Sequence, residues 1–268
     1  MQKEVFHIWP ADETVTLTVF RGEAGGSSRP AVIVVPGGAY VAPSVREAEP
    51  VAERFAAMGY VGCVLRASTM YASHDAAEGE PNPHTVFPEP LWEMACAIRF
   101  LRERAADFGL APEKIALMGF SAGGHLCANY ANYWNSEDVR GANAAEEIRP
   151  NACVLCYAAT KLTNVRGGAM LRAVFGPAEC YEQAAMDVYD GSLHVNAETP
   201  PTFLWHTVDD QMVSVQQSYA MAKALEEAGV SYELHVFSSG PHASGLAQGL
   251  PAQCWPTLAD AFLRRIWG

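Results

Sequence analysis

The chain has 268 residues, 50% of them hydrophobic and 18% charged. It is long enough to bury one large core and too apolar for a disordered polypeptide. The formal net charge of −12 argues against nucleic acid or an anionic membrane as partner and disfavours polyanionic substrates.

No apolar run approaches the length of a bilayer span, and Met1 to Pro10 lacks the apolar centre of a secretion signal, so a soluble cytoplasmic protein is expected. The seven cysteines, 63, 96, 127, 153, 156, 180 and 254, have no zinc-like spacing. Most sit in apolar runs, where a reduced thiol behaves as a small hydrophobe. Cys153 and Cys156 fall on opposite faces of one strand-like stretch, which disfavours a shared metal; no metal and no cofactor are expected.

Taken in chain order, apolar runs alternate with helix-like segments, the pattern of an α/β fold with a mainly parallel sheet. Thr14 to Phe20 alternates like a half-exposed strand, whereas Ala31 to Val35 is continuously apolar, as a central strand covered on both faces should be. Val45 to Met58 reads as a helix stopped by Gly59, and Val61 to Leu65 as the next strand. Ser68 to Glu89 has no periodicity and carries or adjoins prolines at 81, 83, 88 and 90; so long an irregular segment is usually functional. Pro90 to Arg104 then forms a strong helix, with Leu91, Met94, Ala95, Ile98 and Leu101 on one stripe.

Lys114 to Met118 reads as a buried strand, followed by Gly119-Phe120-Ser121-Ala122-Gly123 and a helix-compatible run from Gly124 to Ala131. A serine between two glycines at a strand-to-helix junction is a nucleophile elbow: the turn is too tight for larger neighbours, and it leaves Ser121 Oγ at the tip. Beyond a polar stretch at Asn135 to Arg149 come a strand at Ala152 to Tyr157 and a mixed segment from Ala159 to Glu198. That segment exceeds an ordinary connection and reads as a small cap. Strands at Thr202 to His206 and Tyr232 to Phe237, a helix at Val215 to Ala228 and a closing helix from Pro256 to Trp267 complete one domain, with no internal repeat.

Serine needs a base within hydrogen-bond reach, and the base needs a carboxylate to orient it. Both candidates follow Ser121, each just after a strand. The acid is Asp209 or Asp210; the base is His242, in the small-residue loop Ser239 to Gly245. His235 lies inside a strand, His206 at a strand end, and His125 on the elbow helix, where packing is the expected role. His74, His84 and His194 fall in the irregular loop and the cap. Pro36-Gly37-Gly38-Ala39-Tyr40, right after the central strand, supplies a glycine-rich turn whose N–H groups suit a developing oxyanion; by position these are Gly38, Ala39 and Ala122. Tyr40, Tyr71 and Trp134 are aromatics that either line a sugar- or aryl-binding cleft or pack in the core.

Through Val34 to Tyr40, Ile115 to Leu126, Thr199 to Val213 and His235 to Leu246, the chain resembles α/β-hydrolase serine esterases of the hormone-sensitive-lipase-like and acetylxylan- or feruloyl-esterase-like group. The resemblance implies an eight-stranded, mostly parallel sheet with helices on both faces, a cofactor-free serine mechanism and small acyl esters as substrates, acetylated carbohydrate among them. Aligning His206 and Val213 with the family pattern H-G-x-x-D-x-x-V-P selects Asp210 as the acid. Proline replaces the histidine of the family's H-G-G-G, Ala39 its third glycine, and Ser214 the proline of the acid motif. The expected partner is a small-molecule ester, with monomer and homodimer both open. A small-amide hydrolase or peptidase on the same fold, or a catalytically inactive ligand-binding relative, are the competing readings.

Overall fold

In the computed structural model, which describes residues 1–22, 28–73, 80–162, 168–178 and 180–268, each central strand feeds two cores. Ala31, Ile33 and Val35 enter one apolar cluster and Val32 and Val34 the other. Cys153 and Leu155 part in the same way from Val154 and Cys156, so the two cysteines lie in different layers. This is what a two-residue side-chain period does when both faces of a sheet are covered.

The strands are β1 (Gln2–His7), β2 (Thr16–Arg21), β3 (Arg29–Val35), β4 (Val61–Arg66), β5 (Leu110–Phe120), β6 (Ala152–Cys156), β7 (Thr202–Thr207) and β8 (Tyr232–Phe237). They form an eight-stranded sheet in the order β1-β2-β4-β3-β5-β6-β7-β8. β2 pairs antiparallel with β1 and β4; from β4 to β8 every pairing is parallel. The helices are α1 (Glu49–Ala57), α2 (Glu89–Glu103), α3 (Ala105–Phe108), α4 (Ala122–Tyr133), α5 (Glu137–Arg140) and α6 (Ala145–Ile148). After them come α7 (Ala169–Phe175), α8 (Gln183–Val188), α9 (Gln216–Glu227) and α10 (Trp255–Trp267). α2, α4 and α9 cover one face through Met94, Ile98, Leu126, Tyr130 and Leu225; α1 and α10 cover the other through Phe55, Trp255 and Phe262. β3 sits between β4 and β5, so the chain reverses its winding there, and the carboxyl end of β3 opens onto the crevice where ligands bind in such sheets.

Two local expectations are corrected, for β2 and for residues 45–58, while β1, α5 and α6 are elements that the sequence reading did not anticipate. β1 is an edge strand that Gln2-Lys3-Glu4 hides in the sequence, because its outer face meets solvent and only Phe6 packs inward, against Phe100 and Phe108. β2 is buried from Leu17 to Phe20 rather than half-exposed, since strands flank it on both sides and both cores reach it. Val45 to Met58 is not one helix: a 3-10 turn spans Val45–Glu47 and α1 starts afresh at Glu49, with Pro50 in its first turn, where a missing N–H costs nothing. The polar stretch 135–149 carries the short helices α5 and α6.

Candidate active site

Ser121 stands between the last residue of β5 and the first of α4, with φ 51 and ψ −117. The left-handed φ strains a residue with a Cβ by roughly 1–2 kcal/mol. Three backbone bonds hold it: Ser121 N–H donates to Cys156 O at 3.1 Å, and Ser121 O accepts from the N–H of His125 at 3.1 Å and of Ala159 at 3.0 Å. The turn closes only because α4 presses onto the exit of β3. A Cβ at Gly123 would sit 2.2 Å from Val35 O and 2.6 Å from Pro36 O.

β7 and β8 deliver the acid and the base. Ser121 Oγ–H donates to His242 Nε2 at 2.8 Å, and His242 Nδ1–H donates to Asp210 Oδ2 at 2.7 Å. Asp210 Oδ1 accepts the N–H groups of Met212 at 2.8 Å and Val213 at 3.0 Å. His206 Nε2–H is shared between Val213 O at 2.9 Å and Asp210 Oδ2 at 3.3 Å, while Ser218 Oγ–H donates to its Nδ1 at 2.7 Å. Burial alone would raise the Asp210 pKa, but the hydrogen bonds from His206, His242 and Val213 hold it far below the usual carboxylate range, so it stays ionised. Asp209 takes a different job: its Oδ1 accepts Gly240 N–H at 2.8 Å, and Thr207 Oγ1–H donates to Gly240 O at 2.7 Å. Together they clamp the loop that carries His242. Chemically, an ionised carboxylate, an imidazole and a hydroxyl in series form a relay able to strip the serine proton.

The loop after β3 faces Ser121. Gly38 has φ +119, and a Cβ there would lie 1.8 Å from Ala42 O, so only glycine fits. Ala39 and Tyr40 follow in the left-handed region at φ 56 and 58. The N–H groups of Gly38 and Ala39 donate to no described residue, and Ala122 N–H opens α4, where helix N–H groups lack an intrahelical partner. Gly38, Ala39, Ser121 and His242 line a pocket of about 340 Å³, closed on its apolar side by Val41, Met170, Met212 and Val213. Val41 also borders a second pocket, of about 550 Å³, with Tyr71, Asn82 and Arg172 in its wall. Two backbone bonds hold the irregular segment against this loop, Met70 N–H to Tyr40 O and Tyr71 N–H to Val41 O, both at 2.8 Å.

The three aromatics separate. Tyr71 borders the second pocket. Tyr40 is buried beneath its loop, its hydroxyl 2.9 Å from His125 Nδ1. Trp134 is buried at the far end of α4, its indole N–H on Glu198 O at 3.1 Å, and lines neither pocket. His125 packs fully buried, and burial lowers its pKa to about 4. His84 pairs with Glu89 at 2.7 Å, and His194 bonds Asp187 O within the segment expected as a cap; His74 lies outside the described residues. Among the described residues no three His, Cys, Asp or Glu side chains converge as a metal site, and no helix is long and apolar enough to cross a membrane. Two buried residues beside the relay escaped sequence reasoning, Glu47 in the pocket wall and Tyr157 against the ring of His242. Tyr157 immediately follows β6, a strand-end position that by itself marks sites in parallel sheets, and Glu47 has no motif around it.

Three similar proteins place the chain. Endo-1,4-beta-xylanase B of Butyrivibrio fibrisolvens is 29% identical over 222 residues, covering 82% of this chain and 33% of that protein. Esterase LipQ of Mycobacterium tuberculosis is 28% identical over 255 residues, covering 91% of this chain and 57% of its own. The chain therefore spans well under two thirds of either relative. The acetyl ester-xyloside bifunctional hydrolase from Caldicellulosiruptor lactoaceticus superposes with a TM-score of 0.80 at 31% identity, over 94% of this chain and 88% of that one. The α/β-hydrolase fold is thus shared over most of the chain. The BD-FAE family model matches residues 17–225, a stretch that holds β2 to β7, the serine turn and the acid loop, and the chain belongs to that family.

Proposed function

We propose that the chain is a serine carboxylic-ester hydrolase for short acyl esters, acetylated carbohydrate among them, built as one α/β-hydrolase domain with residues 159–198 as a small cap. The reading rests on one observation: the continuous hydrogen-bonded relay from Ser121 through His242 to Asp210, facing backbone N–H groups that donate to nothing else described. His242 Nε2 takes the proton of Ser121 as Oγ attacks the ester carbonyl. Asp210 holds the ring and stabilises its charged form, and the N–H groups of Gly38, Ala39 and Ala122 receive the oxyanion. The imidazolium then protonates the leaving alcohol, and water, activated in the same way, frees the acid.

Substrate size follows from the two pockets. The apolar wall of Val41, Met170, Met212 and Val213 suits a small acyl group; the larger neighbour, with Tyr71, Asn82 and Arg172, offers aromatic and polar contacts for an alcohol such as a sugar. The names of the xylanase and of the acetyl ester-xyloside hydrolase agree with that choice. The test is a series of p-nitrophenyl esters from acetate to octanoate, run beside acetylated xylo-oligosaccharides with wild type and Ser121→Ala. We expect an optimum at acetate and a loss of about 10⁴-fold or more in kcat for the variant. Undiminished turnover by Ser121→Ala would rule the mechanism out, and an optimum at octanoate would overturn the substrate.

A further inference from the structure

Glu47 is a carboxylate only 1% exposed, and it sits in the wall of the pocket that holds Ser121 and His242. Nothing in the relay above uses it. Burying a carboxylate is costly unless each oxygen finds a donor. Both do: Gly37 N–H donates to Oε2 at 2.9 Å and the Tyr157 hydroxyl to Oε1 at 2.7 Å. Tyr157, itself 1% exposed, accepts Gly245 N–H on its hydroxyl at 2.9 Å and presents its ring to that of His242 at 5.0 Å between centroids.

These three bonds form one line from the loop of His242 to the loop of Gly38 and Ala39. Gly245 lies three residues after His242, and Trp255 on α10 donates its indole N–H to Gly245 O at 3.0 Å, anchoring that end in the core. Gly37 lies one residue before Gly38, and Ser44 N–H holds its carbonyl at 3.0 Å. The loops leave different strands, β8 and β3, which are not neighbours in the sheet. No backbone ladder therefore sets the distance between the base and the oxyanion donors. The side-chain line does, and Tyr157 stays a donor along it because burial, reinforced by the Glu47 charge, pushes its phenol well above the usual value.

We infer that Glu47 and Tyr157 are positioning residues that hold the oxyanion loop and the histidine loop in register, acting on the transition state rather than on substrate binding. The inference rests on the hydrolase reading above. Misplacing catalytic donors by about 1 Å costs on the order of 100-fold in rate. Glu47→Ala is therefore expected to lower kcat on p-nitrophenyl acetate by about 100-fold, with KM within about 3-fold of wild type. Tyr157→Phe should lose about 10-fold, and the double variant no more than Glu47→Ala alone, because the line is broken once. Glu47→Gln should recover only part of the lost rate: its carbonyl still accepts Gly37 N–H and its amide can donate to the Tyr157 oxygen, but the buried Tyr157 hydroxyl proton then loses its acceptor.

Each rate is taken per folded molecule, with thermal midpoints measured alongside; should Glu47→Ala not fold, Glu47→Gln and Tyr157→Phe carry the test. Folded Glu47→Ala or Tyr157→Phe within about 2-fold of wild type in kcat, additive losses in the double variant, or a Gln variant as slow as the Ala one would each overturn the register role. Wild type without Ser121-dependent turnover would instead bring down the hydrolase reading, and this inference with it.

Discussion

Asp210 receives four hydrogen bonds, two from backbone N–H groups and two from imidazoles, and that crowd of donors defines its work. Asn in its place can satisfy Met212 and Val213 through its carbonyl only by turning its amide toward His242. The ring must then accept at Nδ1 and carry its proton on Nε2, where it can no longer take one from Ser121. Asp210→Asn is accordingly expected to lower kcat by about 10⁴-fold with KM little changed, as the wrong tautomer does in other triads. Steady-state kinetics on a short ester checks it, and a loss of less than tenfold would contradict the assignment. At this scale local chemistry narrowed the acid to two adjacent residues, and only the family pattern through His206 and Val213 favoured Asp210. Asp209 and Asp210 look alike along the chain; only the approach of the β8 loop shows one carboxylate aimed at His242 and the other at Gly240.

The elbow is a property of three elements at once: β5 leads into it, α4 leaves it, and the exit of β3 passes within touching distance of Gly123. The obstruction to a side chain at 123 is backbone, which cannot rotate away, unlike the far end of a flexible residue. Gly123→Ala should therefore cost roughly 1–3 kcal/mol of stability and displace Ser121, giving a lower denaturation midpoint together with lost turnover. An alanine variant as stable and active as wild type would show that β3 and α4 have room to part. The strand-turn-helix pattern was legible here because glycines and an apolar run are local signals. The break between the 3-10 turn at 45–47 and α1 was legible only in part: Pro50 marks the start of α1, yet nothing local says that Glu47 is swallowed by the core.

Across the whole molecule, a second buried carboxylate fastens helix to sheet. Glu93 of α2 is 0% exposed and accepts both the N–H and the hydroxyl of Ser68, just past β4, while Asp12 and Asn82 join the same cluster. Burial, against the opposing hydrogen bonds from Ser68 and helped by the nearby charges of Glu89 and Asp12, pushes its pKa up from 4.5 to about 7. Between those two values the folded chain holds a proton that the unfolded chain has released. Stability from this group is thus full below pH ~4.5 and falls as the pH rises toward ~7, where the charge must be buried. Glu93→Gln mimics the protonated form and should flatten that slope, matching wild type near pH 5 and exceeding it near pH 8 in thermal midpoint. An unchanged slope would assign the pH dependence to other groups.

The amino-acid sequence by itself determined what depends on neighbours along the chain: the alternation of strands and helices, the serine turn, the glycine-rich loop and the order of serine, acid and histidine. Those are set by side-chain periodicity, steric limits at glycine and the short-range chemistry of turns. Tertiary structure alone decided the edge strand β1, the burial of β2, the separate hydrogen-bond partners of Asp209 and Asp210, the burial of Tyr40 and Trp134, and the line through Glu47 and Tyr157. Each of these depends on a partner between 9 and 110 residues away, and no local pattern encodes which distant donor or apolar face a side chain will meet.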